Sequence, residues 1–218
     1  MEDSVNIQGI IFDNDGTLVD SERVAAGLLH RMLEERGVQI TGEEVLSRFR
    51  GVQFAIFMAA IGQQAPWLAL DAFAQEYREA RLEVFRAAMS PMPGALEFVR
   101  GLAVPSCVAS NGPRNKIEIT LQAAGLLPWF ENRIVSAYEV NSWKPAPGLI
   151  LAACELLGLE PEYCLLVEDS HAGVQAGLAA GVQVVGYGVD TDFTPYHGRA
   201  RFHRAEHYRD LAMLLAEA

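Results

Sequence analysis

The sequence predicts an α/β fold, with a Rossmann-like, doubly wound parallel sheet and an inserted all-helical domain. From residue 106 onwards, short apolar runs alternate with helical patterns, which is typical of strand–helix units in a parallel sheet. An earlier apolar run, Ile10 to Phe12, has the β-branched character of a buried parallel strand. Residues 20–88 carry helical patterns and no strand pattern. We therefore expect a core domain of residues 1–19 and 90–218 and a smaller helical domain of residues 20–89.

The individual elements follow from periodicity and from helix-end signals. The segment Thr41-Gly42-Glu43-Glu44 has the form of a capping box, which predicts the start of a helix. Gly125 and Gly158 are placed to end two further helices. His203 and His207 stand four residues apart and are predicted to share a helix face. The predicted core strands after the first are 106–110, 134–136, 164–167 and 182–187, and the predicted core helices are 116–124, 148–157 and 174–180.

The composition narrows the class of protein. The 218 residues include 17 basic and 28 acidic side chains, and the net charge of −11 argues against a nucleic-acid partner. No apolar run reaches the ~18 to 20 residues of a membrane span, and the N-terminus lacks the features of a signal peptide. Three cysteines, two of them in apolar strand-like runs, favour reduced thiols. We therefore expect a cytoplasmic protein without a membrane partner, and a monomer fits a chain of this size.

The first predicted strand ends at two carboxylates. Asp13 and Asp15 are one residue apart, and Gly16 follows at once, where it allows a tight turn. In an open α/β sheet the carboxyl ends of the strands are where ligands bind. Two adjacent carboxylates repel each other, and a hard divalent cation such as Mg²⁺ would offset that repulsion. A polar turn with two solvated aspartates is the alternative explanation of this motif alone.

Three later motifs also follow predicted strands. Ser110-Asn111-Gly112 precedes a helix, and its hydroxyl and backbone N–H groups suit phosphate oxygens, so Ser110 and Asn111 are candidate phosphate ligands. Lys144 stands between Trp143 and Pro145 on a loop, from which it can reach the strand ends. Glu168-Asp169 ends another strand with a second pair of acids. Taken singly, an ordinary turn, a surface lysine and a structural acid pair would also explain these motifs.

The four motifs occur in the order Asp-x-Asp-Gly-Thr, Ser-Asn-Gly, Lys-Pro and Glu-Asp, and together they resemble the haloacid dehalogenase-like hydrolase superfamily. The sequence is similar to the phosphatases of this superfamily that carry a helical cap after the first motif. That branch also contains β-phosphoglucomutase and small sugar-phosphate phosphatases. The resemblance covers essentially the whole chain, and it implies that residues 20–89 are a cap that closes over the site.

The resemblance also implies a role for each motif residue. Asp13 is the expected nucleophile, which forms an aspartyl-phosphate, and Asp15 is the expected general acid and base. Ser110 and Lys144 are expected to bind the phosphate during catalysis. The expected activity is the hydrolysis of small phosphorylated metabolites. Mg²⁺ is the expected cofactor, and its expected ligands are Asp13, the backbone carbonyl of Asp15, and Asp169, with Glu168 nearby.

Departures from two groups of relatives favour hydrolysis of a phosphate ester. Dehalogenases of the superfamily lack the second acid of the first motif, whereas Asp15 is present here. The similar phosphomutases carry a cap histidine where an ungapped alignment places Ala25, and an arginine where it places Phe54. A phosphomutase is therefore the second interpretation. A phosphate-sensing domain without turnover is a third, although no motif residue is missing. A response-regulator receiver is rejected on length and motif order.

Two further groups of residues are candidates for substrate specificity. The first is the loop that touches substrate in relatives, and the second follows the Ser-Asn-Gly turn, where a cation could reach a sugar hydroxyl or a carboxylate. Most charged loop residues are solvated, and that is the alternative for each of them. The motif surroundings resemble phosphatases of sugar phosphates and of phosphosugar acids such as 6-phosphogluconate. The candidates are Arg50, Gly51 and Gln53 in the first group and Arg114, Asn115 and Lys116 in the second.

Overall fold

The computed structural model describes residues 6–49 and 54–217. Residues 20–90 form one compact unit, and residues 1–19 with 91–218 form a larger one. In chain order the elements are β1 (Gly9–Phe12), α1 (Ser21–Glu34), α2 (Gly42–Phe49), α3 (Phe54–Gln64), α4 (Leu70–Ala88), α5 (Ala95–Arg100), β2 (Ser106–Ser110), α6 (Arg114–Ala123), α7 (Leu127–Phe130), β3 (Ile134–Ser136), α8 (Ala137–Val140), α9 (Gly148–Leu157), β4 (Cys164–Glu168), α10 (His171–Ala180), β5 (Gln183–Tyr187), β6 (Phe202–Ala205) and α11 (Tyr208–Glu217). Two short 3₁₀ turns lie at Pro161–Tyr163 and Thr194–Tyr196.

The larger unit is built on a parallel sheet. Its strands within the described residues are arranged in the order β3-β2-β1-β4-β5-β6, and every neighbouring pair is parallel. All residues of β1 to β5 are buried, as expected for strands that helices cover on both faces. The predicted doubly wound α/β fold is therefore confirmed.

The strand order creates a crevice at the carboxyl ends of the central strands. The chain leaves β1 towards β2 on one side and returns to β4 on the other, so the order reverses between β1 and β4. Ligands of open α/β sheets bind at such a reversal. The backbone N–H of Asp13 donates to the carbonyl of Val167 over 3.0 Å, which places Asp13 beside the end of β4.

The core of the larger unit is formed by apolar side chains of the strands and of the helices packed on them. One cluster joins Ile11 and Leu166 of the central strands to Leu149 of α9 and Val174 of α10. Burying a side chain of this kind stabilises the folded state by about 1.5 to 3 kcal/mol. The same interior contains three free thiols, those of Cys107, Cys154 and Cys164.

The smaller unit, as far as it is described, is helical throughout. Its core includes Leu29, Phe57, Ile61 and Phe73 from α1, α3 and α4. The predicted capping box is confirmed at the start of α2, where two reciprocal hydrogen bonds satisfy N–H groups at the helix terminus. The backbone N–H of Thr41 donates to Oε2 of Glu44 over 2.8 Å, and the N–H of Glu44 donates to Oγ1 of Thr41 over 3.2 Å.

The C-terminal region differs from the prediction. His203 lies in the edge strand β6, and its Nε2 is 3.3 Å from Oε1 of Gln183, while His207 precedes α11. The predicted shared helix face is therefore wrong. β6 was not predicted because only one of its four residues is buried, so its sequence lacks the apolar run of a central strand. None of the described helices combines the length and apolar character that crossing a membrane requires.

Candidate active site

A buried lysine joins the ends of β1 and β4. Nζ of Lys144 lies 2.5 Å from Oδ1 of Asp13 and 2.7 Å from Oε2 of Glu168. The side chain of Lys144 is 3% exposed, and those of Asp13 and Glu168 are 11% and 2% exposed. Three predicted site residues from distant parts of the sequence therefore meet in one cluster at the crevice.

The charges of this cluster do not balance, since two carboxylates share one ammonium. Burial raises the pKa of Asp13 to about 7, and the charges of Glu168 and Asp15 add to this shift while Lys144 opposes it. Burial would lower the pKa of Lys144, but the carboxylates of Asp13 and Glu168 outweigh it and raise that pKa. Lys144 is therefore charged, and the excess negative charge favours a further cation at Asp13.

Asn111 holds the loop that carries Lys144. Its Oδ1 accepts from the backbone N–H of Lys144 over 2.9 Å, and its Nδ2 donates to the backbone carbonyl of Lys144 over 3.3 Å. This pair of bonds fixes the backbone from which the lysine side chain extends. The Asn111 side chain is thus engaged with Lys144, and its predicted role as a phosphate ligand stays a prediction.

Ser110 is the last residue of β2 and begins the turn before α6. It is buried, and its Oγ accepts from the backbone N–H of Gly112 over 3.1 Å. Oγ of Ser136, at the end of the neighbouring strand β3, donates to the carbonyl of Gly112 over 2.7 Å. Two serine hydroxyls therefore fix the turn, which lies at the same edge of the sheet as Asp13. The predicted phosphate site requires the turn at this edge.

Glu168 is held from both sides. Its Oε1 accepts from the backbone N–H and from Oγ of Ser170 over 3.0 and 2.7 Å, while Oε2 accepts from Lys144. Ser170 also caps α10, because its Oγ accepts from the N–H of Gly173 over 3.1 Å. A Cβ at Gly173 would lie 1.8 Å from Cδ of Glu168, so only glycine leaves room for this carboxylate.

Asp169 faces the turn of the first motif. Its Oδ1 accepts from Oγ1 of Thr17 over 3.4 Å, and its backbone carbonyl accepts from Oγ1 of Thr191 over 2.6 Å. Gly16 has a φ of +78°, and a Cβ there would lie 2.0 Å from Oδ2 of Asp169. The glycine after Asp15 is therefore required both by the turn and by the close approach of Asp169.

The carboxylates of Asp13, Glu168 and Asp169 form a candidate metal site. One oxygen atom from each lies within 4.8 Å of the others. Such a set of hard oxygen donors suits Mg²⁺, and the excess negative charge at Asp13 has the sign that a cation would offset. The residues present therefore fit the predicted cofactor. The Asp15 side chain is outside this group, in keeping with a predicted contribution through its backbone carbonyl.

Asp15 pairs with a second lysine. Nζ of Lys116, in the first turn of α6, lies 2.6 Å from Oδ2 of Asp15, and the two side chains are 16% and 27% exposed. Between the two aspartates, Asn14 is fully buried, and its Nδ2 donates to Oγ1 of Thr120 over 3.1 Å. Of the three candidates after the Ser-Asn-Gly turn, Lys116 is thus in direct contact with a first-motif carboxylate.

The remaining specificity candidates are placed differently. Arg114 binds both carboxylate oxygens of Glu139 and donates to the carbonyl of Ile134 over 2.7 Å, so it links α6 to β3 and α8. Asn115 is exposed, and its Oδ1 accepts from the backbone N–H of Lys116. The candidates Arg50, Gly51 and Gln53 lie outside the described residues.

Several supporting residues were not identified from the sequence. Tyr208 of α11 is buried, and its hydroxyl donates to the carbonyl of Thr17 over 2.8 Å, which ties the C-terminal helix to the first motif. The hydrogen bond between Asn14 and Thr120 likewise ties the first motif to α6, and that from Ser136 to Gly112 ties β3 to the Ser-Asn-Gly turn. Each contact joins residues at least 24 positions apart, and no local sequence pattern predicts such a pairing.

Comparisons with known proteins agree with this geometry. A family model described as haloacid dehalogenase-like hydrolase matches residues 7–181. The chain is 33% identical over 190 residues to 6-phosphogluconate phosphatase of Escherichia coli (strain K12), an alignment that covers 87% of this chain and 86% of that protein. It is 30% identical over 190 residues to a phosphorylated carbohydrates phosphatase of Thermotoga maritima, with 84% and 85% covered. A HAD family hydrolase of Deinococcus radiodurans R1, solved with bound phosphate and sodium, superposes with a TM-score of 0.84 at 28% identity, covering 98% of this chain and 96% of that one.

Proposed function

Since the chain belongs to the haloacid dehalogenase-like hydrolase family and is a phosphatase, we propose that it hydrolyses small phosphorylated metabolites through an aspartyl-phosphate on Asp13. The observation that carries this proposal is the buried contact of Lys144 with Asp13 and Glu168 at the carboxyl ends of the central strands. A carboxylate that attacks a phosphate dianion needs positive charge beside it, and Lys144 supplies that charge.

The side chains around Asp13 suit the binding of a phosphate group. Lys144 is a point charge that can interact with a phosphate oxygen while it contacts Asp13. The turn at Ser110 adds a hydroxyl and backbone N–H groups at the same edge of the sheet. Asn111 keeps the backbone of Lys144 in place through two hydrogen bonds. Positioning of this kind supplies much of the rate acceleration in phosphoryl transfer.

The reaction proceeds in two displacements at phosphorus. In the first, a carboxylate oxygen of Asp13 forms a bond to phosphorus while the bond to the leaving oxygen breaks, and Asp15 donates its proton to that oxygen. In the second, water forms a bond to phosphorus, the bond to Asp13 breaks, and Asp15 accepts the proton of the water. Asp13 and Asp15 both return to their starting states when phosphate is released.

The proposed cofactor is Mg²⁺, which Asp13 and Asp169 would hold with Glu168 beside them. When bound, the ion supplies positive charge that offsets the charge of the phosphate group. Thr17 orients Asp169 through its hydroxyl, and Ser170 orients Glu168, so both carboxylates have fixed supporting partners.

Sugar phosphates and phosphosugar acids are the proposed substrate class. The names of the two phosphatase relatives support this class, since one acts on 6-phosphogluconate and the other on phosphorylated carbohydrates. The helical unit of residues 20–90 is the proposed cap, which would exclude water from the phosphate and contact the leaving group.

The phosphomutase alternative gains no support from the described residues. Ala25 is buried and offers no proton-transfer group, and the ring of Phe54 stacks on Tyr77 at 5.0 Å between centroids. Both positions therefore contribute to packing within the helical unit, in place of the histidine and arginine of the similar mutases.

Phosphate release tests the proposal. The wild type and Asp13→Asn would be assayed on sugar phosphates, phosphosugar acids and nucleotides, with Mg²⁺ and with a chelator. We expect metal-dependent release by the wild type and none by Asp13→Asn. Conversion of β-glucose 1-phosphate to the 6-phosphate without phosphate release would instead establish the mutase. No turnover, with phosphate analogues still bound, would favour the sensor.

A further inference from the structure

Lysine is used in this chain at two positions only. The sequence has 17 basic residues, of which Lys116 and Lys144 are lysines and all others are arginines. Both lysines form an ion pair with a carboxylate of the first motif, Lys144 with Asp13 and Lys116 with Asp15. Lysine differs from arginine in presenting a compact point charge. The pattern places one such charge at each of the two aspartates.

The position of Lys116 is unfavourable for the helix that carries it. It stands in the first turn of α6, which has no acidic residue, and a cation near a helix N-terminus opposes the helix dipole. Neighbouring Arg114 satisfies its own charge elsewhere, on Glu139. Stabilisation of α6 therefore does not explain why a cation stands at position 116. The contact of Lys116 with Asp15 over 2.6 Å does explain it.

The pair is more enclosed than an ordinary surface ion pair. The side chains of Lys116 and Asp15 are 16% and 27% exposed, whereas those of the surface pair Arg86 and Glu83 are 52% and 74% exposed. An exposed pair costs side-chain entropy when two long side chains are held in one geometry, so it usually contributes little. Partial enclosure and the short contact restrict the orientation of the Asp15 carboxyl group.

From this geometry we propose that Lys116 is a positioning residue for proton transfer by Asp15, an inference that rests on the proposed function. By binding Oδ2, Lys116 holds the carboxyl group of Asp15 in one orientation relative to Asp13. In the first displacement the proton of Asp15 passes to the leaving oxygen, and in the second Asp15 takes a proton from water. Both transfers depend on that orientation, although Lys116 itself exchanges no proton.

Leaving-group dependence tests this role. The parameter kcat/KM reports the first displacement, in which a sugar leaving group needs the proton of Asp15 and p-nitrophenolate does not. We expect Lys116→Met to lower kcat/KM about 10²-fold for a sugar phosphate, in the range of general acid catalysis, and less than about fivefold for p-nitrophenyl phosphate. Asp15→Asn should give the same contrast, and the double variant should lose little more than Asp15→Asn alone.

Three further variants complete the test. Lys116→Arg, which keeps a cation, should recover part of the loss on the sugar phosphate. Lys116→Gln repeats the measurement if the methionine variant does not fold. Arg100→Met also removes one positive charge, but from an exposed residue that lies over Trp129, and should behave as the wild type. Equal losses on both substrates would overturn the proposal. So would additive losses in the double variant.

A substrate-binding role for Lys116 would give a different result. If its ammonium binds the carboxylate of a phosphosugar acid, Lys116→Met should raise KM for that acid and leave KM unchanged for phosphates of sugars that have no carboxylate. That result would overturn the positioning role. A wild type that releases no phosphate, or an active Asp13→Asn, would refute the proposed function and this inference with it. An inactive Asp13→Asn beside a fully active Lys116→Met would refute this inference alone.

The ion pair can also be observed without turnover. Because the untagged chain contains two lysines, lysine labelled with ¹³C at Cε gives two side-chain NMR signals, which Lys116→Arg assigns. We expect Asp15→Asn to shift the signal of Lys116, its direct partner, more than that of Lys144. An unchanged Lys116 signal would show that the two groups are not paired in solution, and the proposal would fall.

Discussion

Gly173 is a sensitive point of the candidate site, although it contacts no predicted substrate. It lies in α10, where alanine has the higher helix propensity, by about 1 kcal/mol. A Cβ at this position would lie 1.8 Å from Cδ of Glu168 and 2.3 Å from its Cγ. The Gly173→Ala variant must therefore displace the side chain of Glu168, which is 2% exposed and hydrogen-bonded to Lys144 and Ser170.

The magnitude follows from these opposing effects. A hydrogen bond to a charged group contributes about 1.5 to 3 kcal/mol, and overpacking costs about 1 to 3 kcal/mol. The weakened bond and the overpacking together exceed the propensity gain of about 1 kcal/mol, and we expect a net loss of about 1.5 to 5 kcal/mol in the free energy of unfolding. For a protein of this size that corresponds to a fall in Tm of about 3 to 20 °C. Phosphatase activity should fall as well, since Glu168 is a partner of Lys144.

Gly27→Ala is the matched control. Gly27 is an exposed helical glycine in α1, and apart from its chain neighbours and the nearby backbone of α1 no heavy atom of the described residues lies within 4 Å of a Cβ built there. The same substitution should therefore raise stability by about 0.5 to 1 kcal/mol, from helix propensity alone. Both variants would be compared with the wild type by thermal unfolding and by phosphate release. If Gly173→Ala matched Gly27→Ala in stability and kept full activity, the placement of Glu168 against α10 would be refuted.

Three other perturbations test separate parts of the molecule. Thr41→Ala should lower the free energy of unfolding by about 1 kcal/mol in urea titrations. The backbone N–H and the hydroxyl of Thr41 both lower the pKa of Glu44, so the contribution of Glu44 is present above the ordinary pKa of a glutamate and is lost as the pH falls through its lowered value. Thr41→Ala removes the bond that the hydroxyl donates to Oε2 of Glu44, so its penalty should shrink in acid, and a penalty that stays constant would contradict this bond. Burial raises the pKa of the Cys107 thiol, so dithionitrobenzoate should label no cysteine in the native protein and all three after denaturation; rapid native labelling would contradict the buried thiols. Asp169→Asn should need more Mg²⁺ for half-maximal activity, and an unchanged Mg²⁺ titration would contradict its proposed role as a ligand.

The parts of the fold that are continuous in sequence could be predicted from it. β2 and β3 have the predicted bounds, because each is a short buried run that ends at a serine. The edge strand β6 could not be predicted, since its alternating exposure leaves no such run. The start of α10 at His171 precedes the prediction because the cap is Ser170, whose hydroxyl bonds to Gly173 three residues on.

The candidate site was predictable in its residues but not in their pairings. Asp13 follows β1 and Glu168 ends β4, and parallel strands bring such ends together, while Lys144 reaches them from the loop after α8. The pairing of Lys116 with Asp15 spans 101 positions, and that of Asn111 with the backbone of Lys144 spans 33. These contacts depend on how α6 and the loops lie against the sheet, which local residue patterns do not encode.

Trapping a phosphorylated enzyme tests the proposed role of Asp13 as nucleophile most directly. The wild type would be mixed with a sugar phosphate and Mg²⁺, quenched in acid within the first turnover, digested and analysed by mass spectrometry. We predict one phosphoryl group on the peptide that contains Asp13, located at that residue, and none in Asp13→Asn. Rapid phosphate release without a label at Asp13, or with a label at another residue, would contradict the proposed mechanism.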